Sequence, residues 1–118
     1  IAKGNVNAQF YYQREQAEVQ CRMFQQAIDD INRAIELEPN SFALWAEKGS
    51  VHMRVSQFND AIVALEKAKA LDPKDSSVYR MIGYCQIQLK NKKDGVANLT
   101  KAKELGDKVA GDLLEKMK

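Results

Sequence analysis

Proline is almost absent from this chain: Pro39 and Pro73 are the only two in 118 residues, and they stand 34 positions apart. Glycine is scarce as well, at six, so the chain is punctuated less than an ordinary globular domain. Two cysteines, Cys21 and Cys85, are too few for a disulfide framework at this length, and they say nothing about compartment. His52 is the only histidine, and no C-x-x-C or H-x-x-x-H spacing exists to hold a metal. No apolar run approaches the ~18 residues of a membrane span, and no basic segment leads into an apolar one as in a secretory signal. A charge excess is missing too, since 18 Lys and Arg face 16 Asp and Glu, for a net charge of +2. That argues against a dedicated nucleic-acid binder. The C-terminal third is mildly basic, with Lys90, Lys92, Lys93, Lys101 and Lys103. No aromatics or arginines are interleaved with them, so they read as a solvated lysine face.

What is present is a period. Rows of 34 residues align Tyr11, Trp45, Tyr79 and then Leu113 in one column. Small residues align as Ala27, Ala61 and Gly95, and as Ala34, Ala68 and Ala102; large apolar ones align as Ile31, Leu65 and Leu99. Within a row the spacing is helical: Ala27, Ile28, Ile31, Ala34 and Ile35 make an i, i+3, i+4, i+7 stripe, and Ala61, Ile62, Leu65 and Ala68 repeat it. Each row is therefore expected to hold two helices, the first at about 8–21, 42–55 and 76–89, the second at about 24–37, 58–71 and 93–105. Pro39 and Pro73 end a second helix and are followed by Asn, Asp or Ser to cap the next one. Gly49 and Gly83 fall in mid-helix, where glycine costs about 0.5–1 kcal/mol against alanine, so a close approach of paired helices is expected to offset them.

These columns resemble the tetratricopeptide repeat over about residues 8–107. Row two carries Trp45, Gly49, Ala61, Ala68 and Pro73, row three Tyr79, Ile82-Gly83 and Ala102, and row one Tyr11, Ala27, Ala34 and Pro39. The resemblance implies an all-α fold, a right-handed superhelix of antiparallel helix pairs. One domain over 1–118 would then hold repeats at about 8–41, 42–75 and 76–107. Stacked pairs share a core that no single pair can close. Row one departs from the pattern, with Arg14-Glu15 where a large-then-small apolar pair belongs. Its first helix should pack less tightly, and Arg14 is spaced to pair with Glu18. Row two has Lys48 at the large position, and row three ends in Gly106-Asp107 instead of proline. Asp107 should cap a final helix at about 108–117, with Val109, Leu113, Leu114 and Met117 on one apolar side and a polar back that ends the stack. Ile1 aligns with Ile35, so residues 1–7 read as the remnant of a preceding repeat, or else as a local coil.

The resemblance also implies a non-enzymatic scaffold that holds a partner protein's peptide or helix in a concave groove lined by the first helix of each repeat. By position the groove takes Tyr12, Gln13 and Gln16, with Gln9 and Gln20, from row one. Row two supplies Glu47, Ser50, Met53 and Arg54, with Ala43, and row three Arg80, Met81, Tyr84 and Gln88, with Ser77. Methionines and tyrosine suit apolar side chains, the arginines suit carboxylates or carbonyls, and the glutamines suit an extended backbone. The rival readings are self-association into a homo-oligomer through Phe10, Tyr11 and Tyr12, and an enzyme. For catalysis only His52, Cys21, Cys85 and scattered carboxylates are available, and no phosphate loop, dinucleotide fingerprint or Ser-His-Asp order appears. No catalytic residue, metal or cofactor is expected. A Cys21–Cys85 disulfide is not expected either, since rows one and three do not touch in a solenoid.

One subtype of the family holds chaperone C-termini in a clamp of lysine, asparagine, asparagine, lysine and arginine. The matching positions here are Tyr12, Gln16, Glu47, Ser77 and Met81. None agrees, and Glu47 would repel a carboxylate. A peptide ending in Glu-Glu-Val-Asp is therefore expected not to bind. Micromolar affinity in a titration, about −8 kcal/mol, would contradict this.

Overall fold

The computed structural model describes residues 13–17 and 23–117. All regular structure among them is helical. The described part of α1 is 13–17, and α2 (Phe24–Leu37), α3 (Phe42–Arg54), α4 (Phe58–Leu71), α5 (Ser76–Gln88), α6 (Lys92–Glu104) and α7 (Lys108–Lys116) follow. Each helix packs chiefly on its neighbours in sequence, and α3 also touches α5. The molecule measures 55 × 26 × 20 Å with a radius of gyration of 15.2 Å. A compact chain of this length would have about 13.5 Å. The fold is an all-α helical repeat solenoid.

The helices lie where the periodicity puts them, because each carries its own start and stop. Ser41 Oγ accepts from Leu44 N–H at 3.4 Å, and Asp75 accepts from Ser77 and Val78 N–H at 2.9 and 3.3 Å. The aromatic column ties each α-turn-α unit to the proline turn before it. Trp45 Nε1 donates to the Pro39 carbonyl at 2.8 Å, and Tyr79 Oη donates to the Pro73 carbonyl at 2.9 Å. The opposite turns close in the left-handed region, at Ser56 (φ 61°) and Lys90 (φ 69°). Gln57 N–H reaches His52 O at 2.9 Å and Asn91 N–H reaches Gln86 O at 2.8 Å, which is the Schellman arrangement of a helix C-terminus.

The core is the set of small and branched columns. Ala61, Leu65 and Ala68 of α4 bury against Val78, Ile82 and Cys85 of α5, with Trp45, Phe58, Met53 and Met81 at the edge. Leu99, Ala102 and Ala110 form a second cluster with Tyr79, Leu113, Leu114 and Met117. Gly49 and Gly83 do mark close approaches. A Cβ on Gly49 would lie 2.5 Å from Leu65 Cγ, and one on Gly83 would lie 2.8 Å from the Gly95 carbonyl oxygen and 3.0 Å from Leu99 Cγ.

The first pair is held differently. Glu15, in the column of Gly49 and Gly83, is fully buried, and Asp30 of α2 is 1% exposed. Glu18, the expected partner of Arg14, lies outside the described residues. Arg14 crosses to Asp30 with two bonds, Nε at 2.8 Å and Nη2 at 2.7 Å, and Arg33 adds a third at 2.8 Å. Charge thus replaces the apolar pair at this contact. Tyr11, Cys21 and residues 1–7 also lie outside the described residues.

The last turn corrects the register expected from the period. The caps Ser41 and Asp75 are 34 residues apart, but Asp75 and the next cap, Asp107, are only 32 apart. Gly106 (φ 103°) ends α6 in a second kind of stop: Asp107 N–H bonds Ala102 O at 3.0 Å and Gly106 N–H bonds Lys103 O at 2.9 Å, as after α3 and α5. The chain reverses two residues sooner than a proline turn allows. Leu113 therefore does not join the Trp45 and Tyr79 column. Counted from its cap it stands where Met81 stands, and Gly111 takes the aromatic place. On α7 the fully buried residue is Ala110, while Val109, expected on the apolar side, is 51% exposed.

Gly83→Ala should destabilise the protein by about 1–3 kcal/mol in urea unfolding, although alanine is the better helix former by about 1 kcal/mol, because the atom opposite is backbone and cannot rotate away. Equal or raised stability would mean that the α5–α6 approach is looser than these distances.

Candidate functional site

α3 touches α5, and Arg80 of α5 bonds Asp107 at the start of α7; the residues expected to line a groove are placed on these helices as follows. Glu47, Ser50 and Met53 of α3 are half-buried, and Arg54 is exposed. On α5, Ser77, Arg80 and Met81 are half-buried, and Tyr84 and Gln88 are exposed. Gln13 is exposed and Gln16 half-buried, its Nε2 donating to Glu15 Oε1 at 2.8 Å. Tyr12, Gln9 and Gln20 lie outside the described residues.

Four of these side chains converge. Met53, Arg80, Met81 and Tyr84 line a cavity of about 350 Å³ together with Val109 and Leu113 of α7. The Tyr84 ring meets Phe58 edge-on, with centroids 6.2 Å apart and planes at 67°. That contact fixes one wall. The other wall belongs to the last helix, whose two residues sequence reasoning placed elsewhere. The signal that would have found them is the Gly106-Asp107 pair, had it been read as a glycine stop and cap that shifts the frame by two.

Arg80 is not an open cation. Its Nη1 donates to both carboxylate oxygens of Asp107, at 3.2 and 3.1 Å. Asp107 Oδ1 also accepts from Ala110 N–H at 2.9 Å, so one buried carboxylate caps α7 and neutralises the groove arginine. Ser77 is likewise engaged, its hydroxyl donating to Asp75.

The chemistry a catalyst would use is spread out. His52 is buried, its Nδ1 2.8 Å from Gln57 Oε1, next to the turn it stabilises. Cys85 is a free, fully buried cysteine, and burial pushes its thiol up to about 11, so it remains protonated at neutral pH and is no nucleophile. Among the described residues no group of three His, Cys, Asp or Glu could hold a metal ion. None of their helices is long and apolar enough to cross a membrane.

Residues 42–75, from α3 through the proline turn after α4, match the family model of the tetratricopeptide repeat. That stretch of the chain is a tetratricopeptide repeat. Solved tetratricopeptide domains superpose on nearly all of the chain. The first such domain of Spaghetti (RPAP3), bound to the HSP90 peptide SRMEEVD, has a TM-score of 0.87 at 19% identity, covering 93% of this chain and 89% of that one. The OM64 domain from Arabidopsis has a TM-score of 0.87 at 18% identity, with coverage of 94% and 93%. MamA has a TM-score of 0.82 at 28% identity and covers 89% of this chain, which spans 61% of the MamA chain. No curated protein sequence matches the chain. At these identities the peptide-bound neighbour establishes the fold and not the ligand. The clamp positions of tetratricopeptide repeats that hold carboxylates are here half-buried Glu47, the engaged Ser77 and the cavity wall Met81, with Gln16 bonded to Glu15.

Asp107→Ala should cost about 1–3 kcal/mol, by loss of a cap worth 0.5–2 kcal/mol and of the Arg80 pair. Asp107→Asn, which can still cap, should cost less than half as much. Urea unfolding of the two variants separates the roles, and equal losses would assign the whole effect to the ion pair.

Proposed function

We propose that this tetratricopeptide-repeat protein is a non-enzymatic interaction scaffold that binds a partner protein's peptide or helix in the groove along α3, α5 and α7. The family and fold are those of protein–protein interaction modules, and the observation that carries the finer reading is the cavity where side chains of all three first helices converge. Met53, Met81 and Tyr84 offer adaptable apolar contact, Arg54 and Gln88 offer exposed polar groups at the rim, and Glu47 and Ser50 continue the face toward the first repeat. Carboxylate clamping of a chaperone tail is not part of this proposal, because the clamp positions carry none of the required side chains.

The proposed organisation is three helix pairs, at about 8–41, 42–75 and 76–107, followed by α7 as an end piece. Its outward face bears Lys108, Asp112 and Glu115, all exposed, and Glu115 stands from Asp107 where Gly83 stands from Asp75. Self-association through Phe10, Tyr11 and Tyr12 concerns residues outside the described ones.

Affinity capture with wild-type protein and with the doubly substituted Arg54→Glu, Met53→Lys protein tests the groove. Arg54 is exposed and Met53 lies at the edge of the core, so both substitutions should leave the fold intact by circular dichroism while removing bound partner at least tenfold. Equal capture by the two would move the binding surface off the groove. Light scattering at two concentrations should give a monomer throughout.

A further inference from the structure

The shortened α6–α7 turn alters what the groove presents. Had the 34-residue spacing continued, the positions of α7 matching Ser77 and Met81 would be Gly111 and Glu115. With the cap at Asp107, they are Val109 and Leu113. A small residue and an acid are thereby exchanged for two apolar walls, and the cavity closes with Met53, Met81 and Tyr84 on its other sides. Val109 and Tyr84 remain 51% and 39% exposed, so apolar surface is left open at the mouth.

The one charge in the lining is already satisfied. Arg80 is held by both oxygens of Asp107, and Asp107 is held in turn by the Ala110 N–H of α7. An anionic ligand would have to displace a carboxylate that also caps a helix, and a cationic one would face the guanidinium. An uncharged apolar group meets neither obstacle and covers the exposed methyl and ring surface.

We infer that this cavity is an anchor pocket for a single large uncharged apolar side chain, Leu, Met or Phe, of a partner segment, and that it discriminates against acidic residues and terminal carboxylates. This rests on the groove reading above and adds to it the chemistry of the ligand. The pocket selects by side-chain polarity, and the rim residues of α3 contribute contact that does not depend on the anchor.

Immobilised peptide pools test this, each acetylated and amidated, random except for one fixed central residue, with the free-carboxylate peptide SRMEEVD alongside. The expected result is that pools fixed as Leu, Met or Phe retain the protein about tenfold better than Asp or Glu pools and better than SRMEEVD. Val109→Asp, at an exposed first-turn position where an acid suits the helix N-terminus, should erase that preference without unfolding the protein. Val63→Asp, at a 69% exposed apolar site on α4, should leave it unchanged. Three results overturn the inference. If acidic pools or SRMEEVD bind best, the ligand chemistry is wrong. If the apolar preference survives Val109→Asp but binding is lost with Arg54→Glu, the groove reading stands and the anchor pocket falls. If no pool is retained above a blocked surface, both fall.

Discussion

A pair of thirteen- or fourteen-residue helices has too little apolar surface to fold alone, and the structure rests on how closely such pairs can be brought together. At Gly83 the neighbouring helix presents the Gly95 backbone itself where a side chain would otherwise stand. That proximity brings Leu99 to the interface, and on the other side of α5 the Ala61, Leu65 and Ala68 column interlocks with Val78, Ile82 and Cys85. Stacking then buries the remaining face of each pair against the next, and the solenoid follows. The first pair reaches contact by another route, with Asp30 buried under Arg14 and Arg33. A buried carboxylate needs such partners, so Arg14 and Arg33 are conditions of that contact and not additions to it.

Asp107 links stability to the groove. It stops nothing by itself; Gly106 does that by adopting φ 103°. Placed immediately after, Asp107 starts α7 and fastens it to α5 through Arg80. A residue that reads as an ordinary cap thus sets the position of two cavity walls and supplies the counter-ion of a third lining residue. The cavity walls and the start of α7 are decided at the same turn.

Much of this was legible beforehand. Helix spans, the Ser41, Asp75 and Asp107 caps and the glycine approaches depend on residues a few positions apart or one period apart, and the described spans agree with the expected ones within two residues. Of the residues expected in a groove, Met53, Arg80, Met81 and Tyr84 line one cavity. Three particulars were not legible. Arg14 pairs across 16 residues with Asp30, Arg80 pairs across 27 with Asp107, and Leu113 leaves the aromatic column. Each depends on which surfaces are brought together, and a period of 34 cannot reveal where it is broken by two.

The helices, their caps and the small-residue columns follow from the order of residues alone, because hydrogen-bonded turns and apolar stripes are local and repeat with the chain. That Met53, Met81, Tyr84, Val109 and Leu113 share one cavity, and that its arginine is paired, comes from how the helices pack. Those facts depend on the registry of α7 against α5, which a glycine stop, a two-residue shortening and one buried carboxylate set together.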